Sequence, residues 1–263
     1  IAGFSLLLIK RFGLKTQEIF SLLSVFIIIL VSIFAFTKTL SNEIFVYSFG
    51  TWKAPFGIVL VLDQFSILMV LVTSLLAFGA LWYAISEDVD KKGAHFHPLF
   101  QLQLFGLNGA FLTGDLFNLF VFFEILLLAS YSLLLHAKGE GRVKAGLHYV
   151  VINLVGSTLF LFAVGTLYGI LGTLNIADLS QKVAHLSPEN VSIVASAGLL
   201  LLIVFGLKAA MFPLYFWLPN AYGKTSAPVA ALFAIMTKVG IYSIIRVHGT
   251  IFGQNANELA FYY

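Results

Sequence analysis

Three ionisable side chains stand where the sequence is otherwise apolar. Glu124 lies in LFVFFEILLLA, Lys208 in LLIVFGLKAAMF and Lys238 in ALFAIMTKVGIY. A charged group at mid-membrane costs about 2.5–3.5 kcal/mol on insertion scales, so such groups mark ion or proton pathways by default. The chemistry open to a carboxylate and two amines in apolar surroundings is proton exchange, because the protonation of each can be moved by a charged neighbour. A row of such groups crossing a membrane domain reads most simply as a proton- or cation-translocating path. The plainer reading is that each charge only pairs helices, Glu124 by a structural hydrogen bond and Lys238 by a salt bridge.

The spacing places these groups. Glu124 is nine residues past Asp115, roughly 13–14 Å along a helix and close to the middle of a ~30 Å core. Lys238 is ten residues past Pro228, too deep for its stem to reach an interface easily. Lys208 is followed five residues later by Pro213, which has no N–H and whose ring clashes with the carbonyl of Ala209. A broken helix is expected there, with freed carbonyls that favour a cation. Interrupted helices of this kind line cavities or ion sites in membranes, although a proline kink is also common in membrane helices. His148, just inside a span, is read as a possible relay through which protons enter. Asn118, Gln103, Asn108, Asn153 and Ser157 are polar groups that could extend a path, each of them more often a helix–helix hydrogen bond. Asp115 reads as a helix N-cap.

The elements that must carry these residues follow from composition. The 263-residue chain is 60% hydrophobic and 10% charged, with mean hydropathy +0.98. Soluble domains carry about 25% charged residues, so this is an all-α polytopic membrane protein in contact with the lipid bilayer. It has no cysteine, which excludes disulfides, thiol catalysis and cysteine-ligated metals. His95 and His97 in one loop are too weak a signal for a metal site. No cofactor motif stands out, and the small net charge of +3 gives no reason to expect nucleic acid.

About eight transmembrane helices are expected. They cover 1–9 (partial), 19–36, 56–84 (too long unless tilted), 99–112 (short and polar), 115–136, 146–171, 191–218 and 227–247. The segment LNIADLSQKVAHL is amphipathic enough to lie on the outer surface. With alternating loops, one side holds Lys10, Arg11, Lys15, Lys91, Lys92, Lys138, Arg142, Lys144 and Lys224, and the other only Lys38, Lys53, Lys182 and Arg246. The first side is then cytoplasmic. The chain starts inside an apolar run about half a span long and stops at NELAFYY, so truncation at both ends is expected.

The stretches NGAFLTGDLFNLFVFFEILLLASYSLL, AGLHYVVINLVGSTLFLFAVGTLYGILGTLNIADLS and GLKAAMFPLYFWLPNAYGKTSAPVAALFAIMTKVGIY resemble the proton-conducting membrane subunits shared by Mrp-type Na⁺/H⁺ antiporters and respiratory complex I. The phrase GDLFNLFVFFE is nearest to the D-type members of the Mrp (Mnh/Sha) group. The resemblance runs over nearly the whole chain and implies about fourteen spans in a full-length member, with two inverted five-helix repeats, each with a broken helix. It implies that Glu124, Lys208 and Lys238 form the first part of a midplane charged axis, continued by a lysine of the second repeat. Residues 1–97 would be N-terminal helices, 98–248 one antiporter-like repeat with its broken helix at Pro213, and 249–263 an extracytoplasmic tail. Relatives in complex I often carry histidine after the broken helix, where this chain has Tyr215.

The function so implied is a proton-translocating subunit of a multisubunit Na⁺/H⁺ antiporter in a bacterial or archaeal cell membrane. Its partners would be the other subunits, protons and Na⁺; it is a transporter part and not an enzyme. The alternative is an antiporter-like membrane subunit of an NADH–quinone oxidoreductase or a membrane-bound hydrogenase. A structural scaffold is a third reading.

Overall fold

A computed structural model describes residues 1–52, 54–136 and 139–253. Lys53 and Lys138, counted above among the loop charges, and most of the expected tail lie outside the described residues. The helices are α1 (Ala2–Ile9), α2 (Leu14–Thr39), α3 (Gln64–Ser86), α4 (Phe96–Leu112), α5 (Leu116–Leu135), α6 (Glu140–Leu171), α7 (Ile176–Ala184), α8 (Pro188–Lys208), α9 (Leu218–Lys224) and α10 (Ala227–Ser243). A π-helical turn, Ile244–His248, carries α10 on to Ile251.

Six of these are long and apolar enough to cross a membrane: α2, α3, α5, α6, α8 and the extended α10. The other two expected spans are α1, with eight residues, and α4, with seventeen. The polar side chains of α4 point inward. Gln101 donates to the carbonyl and hydroxyl oxygens of Ser21 at 3.2 and 3.0 Å, and Gln103 donates to the Met236 sulfur at 3.7 Å. Buried amides of this kind are held because unpaired they would be costly in an apolar interior.

The over-long span at 56–84 resolves into two elements. Strand β2 (Val59–Leu62) pairs antiparallel with β1 (Phe45–Ser48), Phe45 opposite Leu62. The β-branched run around Val59 and Val61 favours strand over helix. Asp63 then starts α3: its carboxylate accepts from the Ser66 N–H at 2.8 Å, and the Ser66 hydroxyl accepts from the Asp63 N–H at 2.9 Å. This reciprocal cap stops the helix from extending backward, and the 23 residues that remain give about 35 Å, a normal crossing.

The outer end, as loop charge assigns it, is tied together across elements. Gly114 N–H donates to Val59 O at 3.0 Å, Leu116 N–H to Leu174 O at 2.9 Å and Ile176 N–H to Gly114 O at 2.9 Å. Asp115 caps α5 by accepting from Asn118 N–H at 2.8 Å. α7 lies against the body through buried Ile176, Leu179 and Val183. Arg246, in the π turn, reaches the Asp63 carboxylate through both terminal nitrogens, at 2.5 and 2.8 Å. Its Nε and one terminal nitrogen also donate to the Tyr242 hydroxyl at 3.0 and 2.9 Å, and Tyr242 donates to Phe111 O at 2.6 Å.

α10 packs against α3, α4, α5 and α8. Its approach to the end of α8 depends on one glycine: a Cβ on Gly240 would meet the backbone nitrogen of Ala209 at 2.5 Å. Backbone cannot swing aside as a side chain can, so Gly240→Ala should displace the helix end. Overpacking of this kind costs about 1–3 kcal/mol, and we expect a lowered Tm of the purified protein. An unchanged Tm would show that the contact yields.

Candidate functional site

α8 stops at Lys208 through a paired closure of its last turn. Ala210 adopts the left-handed conformation, φ 53°; its N–H donates to Leu207 O at 3.1 Å, and Met211 N–H donates to Gly206 O at 2.9 Å. This is a Schellman motif with alanine where glycine is usual. Pro213 makes the end permanent, since the residue before a proline is pushed out of the helical region. The chain becomes helical again only at α9.

The expectation that freed carbonyls would cradle Lys208 is not how the break is built. Leu207 O, one of those carbonyls, also accepts the Trp217 indole N–H at 3.0 Å. Lys208 turns instead to α6. Its Nζ donates to Asn153 O at 3.5 Å and to Ser157 Oγ at 3.4 Å, and it sits 5.5 Å from the Phe123 ring centroid. The residue is 6% exposed.

Ser157 in turn donates to Glu124 Oε1 in a short hydrogen bond. Glu124 on α5 and Lys208 on α8 are therefore joined through one hydroxyl of α6, with no direct ion pair between them among the described residues. A hydroxyl carries one proton and two lone pairs, so it can accept from the ammonium and donate to the carboxylate at once. Close approach of α6 and α8 at this level is secured by Gly156, where a Cβ would lie 2.7 Å from Leu207 Cδ2. The arrangement holds a buried amine and a half-buried carboxylate in contact through a group able to pass or reorient a proton.

The other sequence-predicted residues fall elsewhere. Lys238 is exposed and makes no hydrogen bond or ion pair among the described residues. Met236, two residues earlier, is buried beside Lys208; two residues turn a helix by about 200°, so Lys238 faces away. His148 is exposed, its ring 6.1 Å from Phe216. Pro213 is exposed in the break. His97 and Asp90 form a buried pair at 3.1 Å, separate from the site.

Sequence reading named Ser157 only as one polar group among several and passed over Tyr149. The available signal was their spacing: Tyr149, Asn153 and Ser157 recur every four residues, which puts them on one face of α6. All three are buried.

A family model described as the transmembrane region of NADH:quinone oxidoreductase and Mrp antiporter proteins matches residues 113–262, which contain Glu124, Ser157, Lys208 and Lys238. The chain belongs to this NADH:quinone oxidoreductase/Mrp antiporter family. Among family members, the D component of a probable K⁺/H⁺ antiporter from Rhizobium meliloti is 56% identical over 80% of this chain and 39% of the relative. The D component of a Na⁺/H⁺ antiporter from Alkalihalophilus pseudofirmus is 42% identical over 97% of this chain and 51% of the relative. The chain thus spans about half the length, or less, of these curated relatives. Among solved structures, the Mrp complex from Dietzia sp. superposes with TM-score 0.84 at 34% identity, covering 90% of this chain and 44% of that one. An archaeal membrane-bound sulfane sulfur reductase gives 0.88 at 29% identity, covering 99% and 53%. The resemblance to the D-type antiporter components holds, and this family member is a multi-pass membrane protein.

Proposed function

We propose that the chain is the proton-translocating part of a D-type component in a multisubunit monovalent cation/H⁺ antiporter of a bacterial membrane. The observation that carries this reading is the Glu124–Ser157–Lys208 chain at the end of a broken helix. Opposite charges this close attract by a few kcal/mol at an effective dielectric near 20. Gain or loss of a proton at Lys208 therefore changes the balance of forces on Glu124 and on the helix end that carries the lysine. In this reading residues 98–248 form one antiporter-like repeat. Lys238 presents the next protonatable group on the outward face of α10, toward protein that covers it in the assembled complex, since a bare ammonium against lipid is costly. Na⁺ is the cation named for the Alkalihalophilus relative and K⁺ for the Rhizobium one.

A second reading, a membrane subunit of a redox-driven pump, is favoured by the superposition on the sulfane sulfur reductase. One experiment separates the two. The full-length subunit is expressed with its neighbouring subunits in cells lacking their own Na⁺/H⁺ antiporters, and Na⁺- or K⁺-dependent collapse of ΔpH is followed in everted vesicles. Cation-dependent activity in the wild type, lost in Glu124→Ala and Lys208→Ala while the complex still assembles, supports the antiporter. Proton movement that requires an electron donor and ignores both cations supports the pump.

A further inference from the structure

We infer that Tyr149, with Ser130, is a positioning residue for Lys208: a hydroxyl pair that turns one way when the lysine is charged and the other way when it is neutral. This rests on the proton-translocation reading above.

Tyr149 is the third rung of the α6 face that carries Asn153 and Ser157, and it is 1% exposed. Its hydroxyl oxygen lies 2.7 Å from Ser130 Oγ on α5 and 3.4 Å from the Met236 sulfur on α10. Ser130 Oγ also lies 2.9 Å from Leu127 O. Each hydroxyl has a single proton to give, and three acceptors compete for the two protons. Two arrangements use both protons and also bond the hydroxyls to each other. In one, Tyr149 donates to Ser130, and Ser130 donates to Leu127 O. In the other, Ser130 donates to Tyr149, and Tyr149 donates toward Met236. The heavy atoms need not move between them.

Tyr149, Asn153, Lys208 and Met236 are among the walls of one cavity of about 10 Å³. That is at the lower limit for one water. Tyr149 and Lys208 therefore border the same small space. With its proton turned to Ser130, Tyr149 offers a lone pair to that space and suits an ammonium. With its proton turned the other way, that proton goes to Met236 and one lone pair accepts from Ser130, so the phenol offers less to an ammonium and suits a neutral amine. The tyrosine ring itself is held between Trp217, at 5.3 Å, and Phe233, at 6.2 Å, and a phenylalanine would fill that place as well. A hydroxyl in so apolar a core is costly unless bonded, so packing alone does not account for it. The titratable groups that act on Tyr149 are Glu124 on α5 and Tyr222 on α9, and Lys208 on α8 borders the same cavity. α10 contributes Met236, and through it Gln103 of α4. His148, the neighbour singled out by sequence, is exposed and outside this group.

The test uses the full-length subunit in its assembled complex, with cation-dependent ΔpH collapse measured in everted vesicles across the pH range. Tyr149→Phe removes the lone pair that suits the ammonium, so we expect the alkaline limb of the activity profile to move about one unit to lower pH, the scale of one hydrogen bond to a charged group. Ser130→Ala should move it in the same direction and less far, and it carries the test should Tyr149→Phe fail to assemble. An unshifted profile in the assembled variant overturns the inference even where the rate falls, because lost packing alone slows transport without moving the limb. A shift in His148→Ala that is absent in Tyr149→Phe overturns it too. Lys208→Ala in the same assay separates the two failures: if it is inactive while Tyr149→Phe is unshifted, only the switch is wrong, and if it transports normally, the underlying proton reading is wrong.

Discussion

Lys208→Arg should silence transport as thoroughly as Lys208→Ala, by about 100-fold or more, the lower end of what a positioned proton-transfer group contributes. Arginine keeps the positive charge and can still donate to Asn153 O and Ser157 Oγ, the two partners that Lys208 has. It cannot release its proton at any pH the membrane meets. If Lys208 served only to pair α8 with α6, the arginine variant would keep much of its function and the alanine variant would lose assembly. If Lys208 cycles between charged and neutral forms, both variants assemble and neither transports. The measurement is cation-dependent ΔpH collapse in everted vesicles, normalised to the amount of assembled complex. Substantial activity in Lys208→Arg would end the proton-exchange reading at this residue.

The second large effect is expected at the outer end. Arg246→Ala leaves the Asp63 carboxylate without its two guanidinium bonds and frees the Tyr242 hydroxyl. Breaking a fully buried pair costs about 3–5 kcal/mol, but each of these side chains is 19% exposed, so about 2 kcal/mol is the expected loss. Burial pushes the Asp63 carboxyl up, yet bonds from Arg246 and Ser66 outweigh it and hold the group below the usual carboxylate range. A depressed value means that the stabilisation is present above the ordinary carboxylate pKa and is lost as pH falls through the lower, folded one. The wild-type complex should thus keep its Tm as pH is lowered to the ordinary carboxylate range and lose it below. Arg246→Ala should start lower and respond to acid earlier. Equal Tm values for both proteins at neutral pH would contradict this.

How far sequence carried the account differs by residue. The spans were legible because apolar runs of about twenty residues have few other uses, and the break near Lys208 was legible because Pro213 forbids a continuous helix. Glu124 and Lys208 stood out by their isolation among apolar neighbours. What joins them did not, because Ser157 looks like any helix serine until α5, α6 and α8 are set side by side. The strand at Val59–Leu62 was hidden inside a longer apolar run whose length suggests a helix and outweighs its few β-branched residues; the Asp63 and Ser66 cap marks where the helix starts. The pairing of Asp63 with Arg246, 183 residues apart, has no local signature at all. Lys238 was correctly placed on α10, but depth along a helix does not say which way a residue faces.

The bare contact between Gly240 and Ala209 gives those two lysines a link of another kind. Ala209 follows Lys208 directly, and Lys238 precedes Gly240 by two residues. The Gly240 backbone lies directly against the nitrogen, Cα and methyl of Ala209. If Lys208 exchanges its proton as proposed, a shift of the α8 terminus would reach α10 through this contact as a push, like one lever bearing on another. Salt cannot screen that transmission, and distance between the charges does not weaken it.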